Sequence, residues 1–423
     1  MLHHEAVREQ RLTDTTQHVK KQKTVVSRFE SAQTPDDAKL PAQPDHEKNI
    51  FEVDKIHAAR LAINKRVWYI GKWRGYDKIQ DGLPTPFLFS GHFPFARYYS
   101  TSSKMVKFEP SVTLPNGEKM PLLGLGTWQS KPNEVKDAVE YALDLGYRHI
   151  DTAFVYGNEE EIGEALKKKI DEGVVKREDV FVTTKLWSTY HQPAKVLEAV
   201  NLSLKKLQLK YIDLYLIHNP AGFKFVDEKT LFPKDKDDKT MYDQVDHALI
   251  WKELEKAVDQ GLVKAIGLSN FNHKQIQHVL DNSRIKPANL QVECHAYFMQ
   301  KPLYEFCKKN NITFTAYGPL GSPTRWGINP KDPILLEEPQ LKEIAKRHNK
   351  TPAQVLNRFL IERGRATIPK SVHRERIKEN FDILDLKFTP EDLQQLDSLD
   401  KNLRYFLFDF IQDSVAYPFA DPY

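Results

Sequence analysis

The chain has 423 residues, 40% of them hydrophobic, enough to bury a sizeable core. Its formal charge of +4 is mildly basic and spread along the sequence, which argues only weakly for nucleic acid as a partner. The two cysteines, Cys294 and Cys307, supply neither a disulfide framework nor metal-site spacing, and no apolar run approaches the ~20 residues of a membrane-spanning helix.

In chain order, residues 1–50 are polar and charged and lack apolar periodicity, so they read as mostly disordered. Residues 51–65, FEVDKIHAARLAINK, read as a short helix. Residues 80–103 are aromatic and broken by prolines. Within them SGHFPFARYYSTSSK has no acidic residue and carries the Arg and Ser of the end of a mitochondrial transit segment. The opening MLHHEAVREQ is acidic for a transit peptide and has no apolar core of a secretory signal. The expected location is cytoplasmic, with mitochondrial as the alternative. Composition shifts near residue 104, so residues 1–103 are expected to be an extension and 104–423 the folded domain.

From residue 111 the pattern becomes regular. SVTLPNGEKMP places Asn116-Gly117 between two short alternating runs, a strong hairpin signal. Strands are predicted at 122–128, 149–153, 180–186, 212–218, 263–270, 290–295, 313–318 and 366–370. Helical patterns such as EVKDAVEYALDLG and PAQVLNRFLIERG lie between them. Gly146, Gly261 and Gly364 stand at expected helix ends, and Pro193 and Pro352 in first turns. The fold class is therefore α/β: eight β/α units in roughly 280 residues predict a (β/α)8 TIM barrel with an N-terminal β-hairpin. An open doubly wound sheet would want a Gly-rich phosphate turn after the first strand, and GLGTWQS lacks the third glycine.

Reactive groups of such a barrel stand at the C-terminal strand ends. Here those ends carry Trp128, Asp151 with Tyr156 beyond it, Lys185, His218, Ser269-Asn270, Gln291, Tyr317 and Lys370. Each has a plainer reading alone. Asp151 suits a cap, Tyr156 a half-buried aromatic, Lys185 a solvated charge, His218 a core histidine, and GNEEE an acidic helix start. Together, Asp, Tyr, Lys and His at one barrel mouth read as a proton-transfer site. A phenol is a poor acid near neutral pH, and a neighbouring ammonium is expected to lower its pKa.

GYRHIDTAFVYGNEEEIGEAL, VFVTTKLW, DLYLIHNP, AIGLSNF, LQVECH, TAYGPLGSP and IPKSVHRERIKENFDI resemble the aldo-keto reductase family, in its aldose-reductase-like branch. The likeness covers about residues 107–415 and does not reach the extension. It implies NADPH-dependent reduction of an aldehyde or ketone by hydride transfer. Tyr156 would be the general acid, with Lys185 paired to Asp151 and His218 orienting the carbonyl. It further implies that Tyr317 stacks on the nicotinamide and that Ser269, Asn270 and Gln291 bind its carboxamide. Leu320 and Ser322 would lie along the cofactor, Lys370, Ser371 and Arg376 on the 2′-phosphate, and Glu379 and Asn380 on the adenine. Trp128, His218 and Asn219 would meet the substrate. Asn219 stands where the branch usually has tryptophan, so the missing wall is expected from Phe223 or Phe225. Gly318 stands where a serine is common. Loop 219–246 and the aromatic stretch 401–423 resemble the segments that set specificity. A small carbonyl compound is the expected partner of a monomer, with no metal, nucleic acid or membrane. The alternative is an idle NADPH-binding regulatory or structural protein on the same fold.

Overall fold

The computed structural model describes residues 110–131, 133–325 and 327–420, together with four short strands between residues 55 and 72. The chain divides into two compact units, Met1–Ser100 and Thr101–Tyr423. In the first, β1 (Lys55–Ile56) pairs antiparallel with β4 (Gly71–Lys72), and β2 (Leu61–Ile63) with β3 (Arg66–Trp68). The helix expected over 51–65 is thus not found; strands occupy 55–56 and 61–63. Only Asn64 and Lys65 separate β2 from β3, which is hairpin spacing, and that tight pairing outweighs the helical apolar pattern. The disorder expected for 1–50 and the transit-like stretch at 80–103 lie outside the described residues.

The second unit opens with the expected hairpin, β5 (Ser111–Thr113) against β6 (Lys119–Pro121). Gly117 takes φ +88°, and Asn116 Oδ1 accepts from Glu118 N at 3.2 Å. Asn116 Nδ2 also donates to Lys264 O at 2.8 Å, fastening the turn to the start of a barrel strand. Leu114 and Met120 pack with Phe181, Leu214, Leu216, Ala265, Ala288 and Ala366 into one apolar cluster, so the hairpin seals the barrel bottom.

Eight parallel strands follow: β7 (Leu125–Gly126), β8 (His149–Asp151), β9 (Phe181–Leu186), β10 (Ile212–Ile217), β11 (Val263–Ser269), β12 (Asn289–Glu293), β13 (Thr313–Tyr317) and β14 (Ala366–Thr367). Each pairs with the next in sequence. Parallel bridges Leu123–Thr367 and Gly126–Lys370 join the first strand to the last. Closure uses the GLG glycines as backbone contacts. A Cβ on Gly126 would stand 2.6 Å from Ile368 O, so only glycine lets these strands meet. Along β10, Leu214 and Leu216 face the interior cluster, while Tyr215 and Ile217 join the larger core under the helices.

Helices α1 (Glu134–Leu145), α2 (Glu159–Asp171), α3 (Pro193–Leu207), α4 (His247–Asp259), α5 (His273–Asn282), α6 (Lys301–Lys309), α7 (Pro339–Arg347), α8 (Pro352–Glu362), α9 (Arg374–Phe381) and α10 (Pro390–Asp397) surround the sheet. Gly146, Gly261 and Gly364 take positive φ just past α1, α4 and α8, and Pro193 and Pro352 open α3 and α8, as expected. No helix among the described residues is long and apolar enough to cross a membrane.

Candidate active site

β8 ends in Asp151 and β9 carries Lys185; parallel pairing brings the two side chains together inside the barrel. Both are buried, Lys185 completely. Lys185 Nζ donates to Asp151 Oδ1 at 2.8 Å and to Thr152 O at 2.7 Å. Its third donor points to the Tyr156 hydroxyl, 3.5 Å away. An ammonium has no acceptor, so the phenol oxygen receives from Lys185 and its own O–H is left to donate elsewhere. The second oxygen of Asp151 accepts from Gln291 Nε2 at 2.6 Å. The solvated-charge reading of Lys185 is overturned.

Tyr156 sits on a short 3-10 turn, Phe154–Tyr156, which ends at Gly157 with φ +68°. GNEEE is more than a helix start. Asn158 and Glu159 are buried. Asn158 accepts from Thr152 Oγ1 at 2.8 Å and donates to Thr127 O at 2.9 Å. Glu159 accepts from Thr184 Oγ1 at 2.7 Å, on the residue before Lys185. The two thus pin the Tyr156 turn to β9 and to the chain just past β7 and β8. Nothing local distinguishes them from their exposed neighbours, which is why they were not legible.

The expected lowering of the Tyr156 pKa is not what the environment produces. Burial holds the phenol well above its ordinary value near 10, and Asp151 adds to the shift. Lys185, paired to Asp151 and 3.5 Å from the hydroxyl, does not reverse that shift. Burial lowers the Lys185 pKa and Asp151 opposes that. His218, just past β10, is held well below the usual histidine range, first by burial and then by Lys185. Its ring meets Tyr156 edge-on at 5.7 Å. His218 Nδ1 finds no hydrogen-bond partner among the described residues. A protonated phenol, a buried ammonium and a neutral imidazole at one mouth can deliver a proton to an oxygen and stabilise the anion left behind.

Asn219 does not face its neighbours as a wall. It is buried, and its Oδ1 accepts from Ala221 N at 2.9 Å. The aromatic surface beside His218 is Trp187, 5.3 Å between ring centroids, the tryptophan of KLW. Phe223 packs on Trp187 at 5.8 Å, as does Phe232 at 5.2 Å. Phe225 instead meets Tyr190 and lies under Lys195, so Phe223 and not Phe225 joins this wall. Trp128 is half-buried and edge-on to Phe406 at 5.7 Å.

The residues named for a cofactor form two groups. Tyr317 donates to Asn270 Oδ1 at 2.9 Å, and Asn270 Nδ2 donates to His218 O at 2.9 Å and to Ser269 Oγ at 3.2 Å. With Gln291 these sit beside the Asp151–Lys185 pair. The half-buried Tyr317 ring offers a flat face there. The other group stands around α9. Ser371 is buried and its Oγ accepts from His373 N at 3.1 Å; Lys370 and Arg376 are exposed. Lys370 Nζ donates to Gln129 O at 3.2 Å. Glu379 accepts from Thr351 Oγ1 at 2.6 Å, and Asn380 from Asn357 Nδ2 at 3.2 Å. Leu320 and Ser322 are half-buried in the loop after β13. Gly318 has φ +61°, and a Cβ there would meet Ser322 Oγ at 3.0 Å, so a serine would be strained. No cluster suited to a metal occurs among the described residues.

The profile of the aldo/keto reductase family matches residues 122–401. Over 322 residues the chain is 49% identical to aldo-keto reductase family 1 member A1 of Xenopus tropicalis, covering 74% of this chain and 98% of that protein. It is 48% identical over 323 residues to the protein of the same name from Rattus norvegicus, covering 74% and 99%. The aldose reductase structure from Schistosoma japonicum superposes with a TM-score of 0.70 at 46% identity, over 74% of this chain and 99% of that one. An ordered barrel with Asp, Tyr, Lys and His gathered at its mouth agrees with these matches: the chain belongs to the aldo/keto reductase family of oxidoreductases.

Proposed function

We propose that the chain reduces an aldehyde or ketone to the alcohol with NADPH, Tyr156 acting as general acid. The observation that carries this reading is the Asp151–Lys185–Tyr156 line, 2.8 Å and 3.5 Å, beside His218. Bound NADPH would supply the hydride to the carbonyl carbon. The residues present fit that cofactor. Tyr317 gives a flat aromatic face, and Ser269, Asn270 and Gln291 give amide and hydroxyl partners for a carboxamide. Lys370, Ser371 and Arg376 give cationic and hydroxyl donors around the start of α9, where backbone N–H groups also favour an anion.

His218 is neutral. Its Nδ1 has no hydrogen-bond partner among the described residues, so its proton is best placed on Nε2, where it donates to the substrate oxygen. Tyr156 then gives its proton to the developing alkoxide. The phenolate left behind is stabilised by Lys185, whose charge Asp151 holds in place. The raised pKa keeps Tyr156 protonated before reaction, and Lys185 offsets part of the cost of transfer by stabilising the phenolate. Asp151 is a positioning group for Lys185.

The test is loss of NADPH absorbance with an aromatic aldehyde. Wild type is expected to turn over. Tyr156→Phe should lose about 10²–10⁴-fold in rate while NADPH binding persists. A chain that binds NADPH and reduces no member of a carbonyl panel would instead be an idle cofactor-binding protein.

A further inference from the structure

Glu293 is the last residue of β12 and is completely buried. Its carboxylate serves no group of the Asp151–Lys185–Tyr156 line. Oε1 accepts from Tyr405 N at 2.7 Å and Oε2 from Phe406 N at 3.0 Å. His295 Nε2 lies 2.8 Å from Oε1, and the His295 ring packs on Tyr405 at 4.9 Å. One barrel carboxylate therefore grips two consecutive backbone N–H groups of the C-terminal segment.

The two side chains held in this way go to different places. Tyr405 reaches the loop after β13. Its hydroxyl donates to Pro333 O at 2.6 Å, and the Arg325 guanidinium lies 3.9 Å over its ring. Arg325 is itself ion-paired to Asp332. That loop begins with Leu320 and Ser322, the residues assigned to the cofactor. Phe406 turns to the other side. Its ring is edge-on to Trp128 at 5.7 Å and to Tyr317 at 5.5 Å. Around this pair, residues 401–408 form no helix or strand, so no regular hydrogen-bond ladder sets their register. Glu293 supplies that register from the barrel.

We propose that Glu293 is a positioning residue that couples the two halves of the mouth: through Tyr405 it sets the cofactor-side loop, and through Phe406 it sets the aromatic roof over the carbonyl substrate. The coupling rests on the reading of the site given above; the grip on the segment does not. Glu293→Gln keeps the volume but turns an N–H₂ donor toward a backbone N–H, so one of the two contacts fails.

In the full chain, Glu293→Gln should raise both the NADPH Kd and the KM for an aromatic aldehyde by about tenfold, the loss of one hydrogen bond to a charged group. Protease cleavage between residues 401 and 410 should quicken. Tyr405→Phe, which removes only the bond to Pro333, should move the NADPH Kd alone. Phe406→Ala should raise the KM for an aromatic aldehyde far more than for a short aliphatic one, and far more than it moves the NADPH Kd, which it touches only through Tyr317. If Glu293→Gln lowers the melting temperature while Kd and KM stay fixed, its role is merely structural and the proposal falls. If Tyr405→Phe and Phe406→Ala move the NADPH Kd and the aromatic-aldehyde KM in the same proportion, the division of labour falls, whether or not the Gln variant folds. A wild-type chain that reduces no aldehyde would sink the catalytic reading and with it the coupling. Cleavage rates would still judge the grip, and an unchanged rate in Glu293→Gln would overturn that too.

Discussion

Tyr156 shows how burial and charge divide the work at a single residue. Its proton is held by burial, while its oxygen faces an ammonium that already belongs to Asp151. Both facts have consequences for pH dependence. With the phenol raised and His218 lowered well below its usual range, neither group titrates near neutrality. The profile of kcat/KM for carbonyl reduction is therefore expected to show no limb near pH 6.5; such a limb, lost in a His218 variant, would show the imidazole to be charged in the resting site. Lys185→Met should lower kcat by about 10²–10⁴-fold, because the phenolate formed on transfer loses its cation. The same change leaves Asp151 buried without its ion partner, so a thermal melt must accompany the kinetics. Asp151, Tyr156, Lys185 and His218 were all legible in the sequence, since each stands at or just past a strand end. Trp187 was not singled out, although it follows Lys185 by two positions, because an apolar residue at a strand end looks the same whether it lines a pocket or fills a core.

Among the elements, the start of α2 and the start of α9 make different use of a helix N-terminus. In α2 the first turn is anchored inward by Asn158 and Glu159, and it orients the Tyr156 turn that precedes it. In α9 the first turn stands near exposed Lys370 and Arg376, where we propose that the cofactor's phosphate binds. Arg376→Ala is accordingly expected to weaken NADPH by on the order of 1.5–3 kcal/mol and to leave NADH nearly unchanged. Equal Kd values for the two cofactors in the wild type would remove the 2′-phosphate assignment. The long loop 219–246 belongs with the C-terminal segment rather than standing alone. Gln244 Nε2 donates to Ser414 Oγ at 2.9 Å, and Tyr242 bonds Asp413. Substitutions in either one should therefore alter substrate preference together.

At the scale of the whole molecule, buried histidines tie stability to pH on the acid side. Burial lowers the pKa of His149, His218 and His247, and pushes His191 down to about 3. In the unfolded chain each titrates near 6.5, so below that pH the unfolded state binds more protons and stability falls as pH falls. This contribution is fully present above about pH 6.5 and is lost progressively toward the lower folded values, at up to about 1.4 kcal/mol per pH unit for each histidine. Glu159 and Asp213, raised by burial, act in the opposite sense. The melting temperature should drop between pH 7 and pH 5, and His191→Gln should make that slope shallower; identical slopes would count against a neutral buried His191. We also propose that the extension is separable. A chain beginning at Lys104 retains all eight β/α units and the hairpin, so it should fold and keep its kcat/KM, with at most a modest loss in melting temperature. An insoluble or inactive product would show that residues before 104 belong to the domain.

Periodicity, glycine and proline punctuation and strand-end chemistry are local properties. The sequence by itself was therefore enough for the hairpin, the eight alternating units, their order and the four ionisable residues of the mouth. The helix expected over 51–65 failed for the same local reason. An apolar pattern that short suits either state, and only the pairing of β2 with β3 decided it. What tertiary structure alone decided is everything that depends on distant segments meeting. Burial, which no local pattern states, moves the Tyr156 pKa upward, and Asp151 adds to it. Asn158 and Glu159 became anchors because Thr127, Thr152 and Thr184 lie against them. Glu293 became the grip on residues 405 and 406 because the chain returns to the barrel mouth more than a hundred positions later. A carboxylate and the backbone N–H groups it holds carry no mark of each other in sequence; only closure of the barrel and return of the C-terminal segment put them within hydrogen-bond reach.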